Sequence, residues 1–231
     1  MVQAHGIILI IIAALELFLG IYILLQNPRD HIRRWYAFLV FMVALWVWSI
    51  GFVVFTNDIF IIDIVTRLNW VGPIFIASTL LFFSWIFPYP TKRIGIKNWL
   101  IFFFPMVIDL FLLYWDVFPI FKSIKLDPWR TVVFGPGVHV FNALFLFYWI
   151  WGTYNFYHKF RAADGIHKWL LKYFLIGIII SSIFGVTSNL ILPWFGLYMK
   201  YPVLSAIGPE LSIIWLGFTG YILFKKNIKH V

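Results

Sequence analysis

Cysteine is absent from the chain. Disulfides, thiolate nucleophiles and Cys-based zinc sites are therefore excluded, and thiols say nothing about redox compartment. Charge is scarce as well: Asp, Glu, Lys and Arg make up 12% of the 231 residues, against about a quarter in a soluble domain. No lysine occurs between 203 and 224, so a retinal protein, which needs a buried Schiff-base amine in its last helix, is not expected. The signatures H-E-x-x-H and G-x-S-x-G are missing, as is a Gly-rich phosphate loop. The six His are scattered, with His31, His158, His167 and His230 in basic segments, so no metal cluster is signalled. No metal or cofactor is required by anything in the sequence.

What is abundant is apolar: hydrophobic residues are 63% of the chain and aromatic ones 22%. The net charge of +9 resides in short clusters between apolar runs, which fits membrane topology better than nucleic acid. Continuous runs long enough to cross a bilayer as helices lie at about 6–25, 35–55, 61–87, 98–115, 137–157, 169–192 and 203–224. Barrel strands would alternate instead. The expected fold is an all-α integral membrane protein, a seven-transmembrane-helix bundle forming a single domain over 1–231 with no soluble domain. The opening MVQAHG lacks Lys and Arg, so a retained first span is expected rather than a cleavable leader.

Basic clusters fall after spans 1, 3, 5 and 7: Arg29, Arg33, Arg34; Lys92, Arg93, Lys97; Lys159, Arg161, Lys168; and Lys225, Lys226, Lys229. The other side has Lys122, Lys125, Arg130 and Lys200. The positive-inside rule then puts the N-terminus outside and the C-terminus in the cytoplasm. Trp35, Trp99, Trp115, Tyr157, Trp169, Trp194 and Tyr201 lie near span ends, where an interfacial belt would put them. The long connection between spans 4 and 5 contains Pro119, Asp127-Pro128 and the β-branched run Thr131-Val132-Val133. An extracellular hairpin or lid and an ordinary ordered loop both fit it.

Ionisable groups at membrane depth are costly and usually face a bundle interior or a wet cavity. Here they are Glu16, Arg67, Asp109, His139 and Glu210. Arg67, Asp109 and Glu210 lie about two turns below the outer surface, with His139 nearer the mouth. Asn69, Asn142 and Asn189 share that slab. A polar-lined outer cavity made by Arg67, Asn69, Asp109, His139, Asn142, Asn189 and Glu210 is one reading. The other is a sealed core in which Arg67 is neutralised by Glu210, by Asp109 or by Asp63 one turn earlier; Glu210 is the preferred partner. Glu16 is deeper, has no evident basic partner, and is expected to be protonated or hydrogen-bonded in a structural role. Pro73, Pro105 and Pro209 interrupt spans 3, 4 and 7 and free carbonyls that side chains or water can satisfy.

The segments ALWVWSIGF, TRLNWVGPIFIASTLLFFSWIF, KFRAADGIHKWLLKYFLIGIIISSIFGVTSNLILP and GYILFKK together resemble the N-terminal seven-helix sensor region of prokaryotic histidine kinases. The most specific part runs from Lys159 to Pro193, where a short basic turn leads into a helix ending in a leucine-proline corner. The resemblance implies a stimulus detector in a prokaryotic plasma membrane, whose last helix normally runs on into cytoplasmic signalling modules. After Phe224 only KKNIKHV remains, so the chain as given carries no kinase module and is not expected to be an enzyme.

The expected function is a sensor or receptor module. Its partners would be the bilayer, a small-molecule or lipid ligand, and a cytoplasmic signalling partner or kinase domains outside the chain, with a homodimer left open. A small transporter or channel is the second reading, and a scaffold subunit of a membrane complex the third. No internal repeat supports a transporter.

Overall fold

Asp30 and Asp58 set two of the helix starts. The Asp30 carboxylate accepts from the Ile32 N–H at 2.9 Å, and that of Asp58 from the Phe60 and Ile61 N–H groups at 2.9 and 3.4 Å. Such caps satisfy backbone donors that a helix leaves open at its first turn. The computed structural model describes residues 2–91, 93–126, 131–192 and 204–225. Seven helices lie within them: α1 Val2–Gln26, α2 His31–Phe52, α3 Ile59–Ile86, α4 Ile96–Tyr114, α5 Gly137–Ala162, α6 Gly165–Ser181 and α7 Leu204–Lys225. A single 3-10 turn, Val53–Phe55, extends α2, and α6 continues through Ser182–Ile191 in π-helical turns. Lys92, Asp127-Pro128, Arg130, the Pro193 corner, Trp194, Lys200, Tyr201, Lys226, Lys229 and His230 lie outside the described residues.

Val2–Gln26, His31–Phe55, Ile59–Ile86, Ile96–Tyr114 and Gly165–Ile191 are long and apolar enough to cross a bilayer. The chain is a multi-pass, helical membrane protein. Among the described residues there are two short strands, β1 Phe121–Ile124 and β2 Val132–Phe134, paired antiparallel with an irregularity between Phe121 and Ser123. The long connection thus forms a hairpin. Gly135 N–H to the Ile120 carbonyl (2.9 Å) and Gly137 N–H to the Pro119 carbonyl (3.0 Å) anchor it to the start of α5.

Six helices close a ring. Contacts run from α1 to α2, α2 to α3, α3 to α5, α5 to α6, α6 to α7 and α7 back to α1. Helix α4 stays outside it, packed on α3 and α5. One core, containing Val43, Phe83, Phe156, Phe174 and Leu216, joins α2, α3, α5, α6 and α7. A second, containing Trp70, Phe102, Met106, Ile120 and Phe141, fastens α4 and the hairpin to α3 and α5. Trp35 is half-buried and packs against α3 and α4, its ring 4.2 Å from that of Phe82 and 5.2 Å from that of Phe102.

Each in-helix proline removes the donor for the carbonyl four residues earlier. For Pro105 that carbonyl belongs to Ile101, and the Tyr148 hydroxyl of α5 donates to it at 2.6 Å. The break in α4 therefore becomes a tie to the ring. Tyr36 of α2 similarly donates to the Leu216 carbonyl of α7 at 2.7 Å.

Candidate functional site

A cavity of about 170 Å³ opens inside the ring, and every ring member lends it a wall. Helix α3 supplies Thr66, Asn69, Trp70 and Pro73, spaced i, i+3, i+4 and i+7 so that they share one face. Helix α2 gives Trp46 and Ser49, α5 gives Phe145 and Trp149, and α1 gives Gly6 and Leu9. The π-helical stretch presents Gly185, Val186 and Asn189, and α7 presents Gly208, Ser212 and Trp215. Val132 and Phe134 of the hairpin reach the same space, whereas α4 contributes nothing to it. Among the described residues, no side chain in this wall is charged.

Local sequence explains how α7 reaches the cavity. A Cβ at Gly208 would stand 2.6 Å from the Gly185 Cα, so the helices approach glycine to glycine. The π-helical turns follow Ser182, which donates to the Ile178 carbonyl and accepts from the Trp149 indole N–H, both at 2.7 Å. Insertions of this kind are frequent at functional sites because they turn backbone and side chains out of α-helical register.

Polar groups in the wall are partly committed. The Ser49 hydroxyl donates to the Trp46 carbonyl (2.8 Å) and approaches Asn69 Oδ1 at 3.3 Å. Ser212 Oγ lies 2.6 Å from Glu16 Oε1 and 2.5 Å from the Pro209 carbonyl. Asn189 spends its amide N–H groups on the Gly185 carbonyl and Ser188. Five groups are unspent among the described residues: the Thr66 hydroxyl, the Asn69 amide nitrogen, the Asn189 amide oxygen and the indole N–H groups of Trp70 and Trp215. Pro73 also deprives the Asn69 backbone carbonyl of its intrahelical donor.

The residues anticipated as one outer layer divide into separate groups. Asn69 and Asn189 line the cavity. His139 and Asn142 line a different hollow, with Lys122 and Phe134 beside the hairpin. Arg67 and Glu210, expected as partners, do not pair. The Arg67 guanidinium binds Asp63 one turn earlier at 2.8 Å and donates to the Leu113 carbonyl, with the Tyr114 ring 4.8 Å away. A local i,i+4 acid satisfies it more cheaply than a distant helix does. Glu210 instead meets His5 of α1 at 2.7 Å. Asp109 is buried in α4 with Oδ1 unpartnered and lies outside the ring. Glu16 is fully buried, and its partner is Ser212.

Sequence reasoning missed His5, Thr66, Ser49, Ser212 and the role of Lys159. Counted above only as a basic residue near a span end, Lys159 is 5% exposed and donates to the Phe87 and Tyr89 carbonyls, both at 2.8 Å. It latches the end of α5 to the turn after α3. The α3 stripe was visible in the sequence as a helical period of polar and aromatic residues around Pro73. No protein-family model matches the chain, and no curated protein matches it.

Proposed function

We propose that the chain is a membrane sensor or receptor module whose ligand occupies the cavity at the centre of the ring. All seven helices would cross the membrane, with the N-terminus outside and the C-terminus in the cytoplasm of a prokaryote, as the basic clusters argue. The resemblance to the input region of histidine kinases supports the same reading. One observation carries it: α7, the helix that would lead to the cytoplasm, forms part of the cavity wall through Gly208, Ser212 and Trp215. A ligand that fits one arrangement of α7 better than another shifts the population between them. Kinase domains or another cytoplasmic partner would receive that change.

The absence of cysteine allows paired labels without background. Tyr157→Cys on α5 and Tyr221→Cys on α7, both exposed, carry spin labels in lipid nanodiscs. Val186→Phe then fills the cavity from its π-helical wall. The expected result is a change in the label separation of about 1–2 Å or more, the scale of helix shifts in switching proteins. Superimposable distance distributions with and without Val186→Phe refute the coupling.

A further inference from the structure

We infer that the cavity takes an uncharged, ring-sized molecule with a hydrogen-bond donor and an acceptor, of the aromatic amide or phenol class. This deepens the sensor reading and rests on it. Size sets the first limit. A dry cavity of about 150 Å³ accommodates benzene, and this one measures about 170 Å³, room for one ring and a small polar group. The wall is faced with rings, among them Trp46, Trp70, Phe145 and Trp149, which favour flat, polarisable ligands.

Charge sets the second limit. An ion entering this space would surrender its hydration and find no counter-charge among the described residues of the wall, an outcome that burial makes costly. Glu16 stands behind Ser212 and does not line the cavity. A purely apolar ligand fails for the opposite reason. It would leave the Thr66 hydroxyl, the Asn69 amide nitrogen, the Asn189 amide oxygen and the Trp70 and Trp215 indole N–H groups unpartnered, although Thr66 is 5% exposed, both indole nitrogens are buried and an unmade buried hydrogen bond costs about 1–3 kcal/mol. The Asn69 nitrogen donates to a ligand acceptor, and the Asn189 oxygen accepts from a ligand donor. Thr66 serves as either.

The test uses the full chain in nanodiscs and four probes of one ring each: benzamide, benzoate, benzylammonium and toluene. Wall tryptophans report occupancy through saturable fluorescence change, measured against empty nanodiscs to remove partitioning into lipid. Benzamide is expected to saturate and to raise the melting temperature, with binding weakened about 5-fold by Asn69→Ala and abolished by Val186→Phe. Equal binding of benzoate or benzylammonium, tighter binding of toluene, or benzamide binding unaffected by Asn69→Ala overturns the inference. Because Val186→Phe also tests folding, its melting curve is recorded in parallel, and Asn69→Ala keeps the question answerable if that variant unfolds. The 157–221 label pair separates the two levels. Benzamide binding without a change in label distance leaves the ligand chemistry standing and overturns the sensor reading. A response to Val186→Phe in a chain that ignores benzamide does the reverse.

Discussion

Gly177 offers the sharpest test of how α6 and α7 meet. A Cβ built there would lie 1.6 Å from Trp215 Cδ1 and 2.1 Å from Nε1. Non-bonded carbons settle at about 3.5–4.0 Å, so Gly177→Ala requires the indole to move by about 2 Å. Trp215 is 5% exposed, with the Phe174 ring 6.0 Å from its own and the cavity beside it. The cavity is the soft direction. Overpacking a filled interior costs about 1–3 kcal/mol, and the upper part of that range applies if the cavity does not yield. Trp215→Ala removes the colliding ring. The double variant should therefore be more stable than the sum of the single ones by about 1–2 kcal/mol, as expected for residues in contact. Reversible unfolding in detergent measures all four corners of the cycle. Additive energies, or a Gly177→Ala protein that melts like the parent, refute the packing described. The same substitution should also weaken binding of ring-sized probes, because the displaced indole takes cavity space.

Lys159→Met removes both donors that serve the Phe87 and Tyr89 carbonyls, and is expected to cost about 2 kcal/mol. It should also speed hydrogen exchange at Thr91, whose N–H donates to the Trp85 carbonyl at 2.9 Å; unchanged exchange there contradicts the latch. Arg67→Met and Glu210→Gln belong to separate pairs, so their effects on stability should add to within about 0.5 kcal/mol. A larger coupling would restore the Arg67–Glu210 pair read from the sequence.

The helices were legible and the partners were not. Backbone groups in lipid must bond within their own segment, so each long apolar run had only one regular structure open to it. The expected ranges and the observed helices agree closely for the first four spans, and the run at 137–157 extends to Ala162 as α5. Partnering is set by which faces meet, and that depends on contacts far apart in the chain. Glu210 and His5 are 205 positions apart, and only their common nearness to helix starts hinted at the pair. Arg67 was solvable locally, since Asp63 lies one turn away, yet the rule that buried charge marks function drew attention to a distant acid. That rule identified the costly residues correctly as unusual but not as the cavity wall. The polar part of the wall is made largely of Thr, Asn and Ser, which cost less to bury than charges and leave a weaker trace in hydropathy. Lys159 shows the converse error: a lysine near a span end reads as solvated, whereas two carbonyls of the neighbouring turn draw it inward.

The ring also explains why neutral chemistry suits this position. A charged ligand would need a fixed counter-charge, and a fixed ion pair resists the small helix displacements by which a bundle switches. Neutral hydrogen bonds are worth about 1 kcal/mol each, comparable to the differences that shift a two-state equilibrium several-fold. Ser212 illustrates the balance. Its single hydroxyl hydrogen is within reach of both Glu16 Oε1 and the Pro209 carbonyl, and it cannot serve both fully. One of these acceptors belongs to α1 and the other to the kinked turn of α7 itself. A small rotation of α7 therefore keeps the intra-helix bond and gives up the inter-helix one, which leaves the buried Glu16 carboxyl without Ser212 at a cost of about 1–3 kcal/mol. A ligand that fills the neighbouring cavity needs to supply a preference of that size to decide between them.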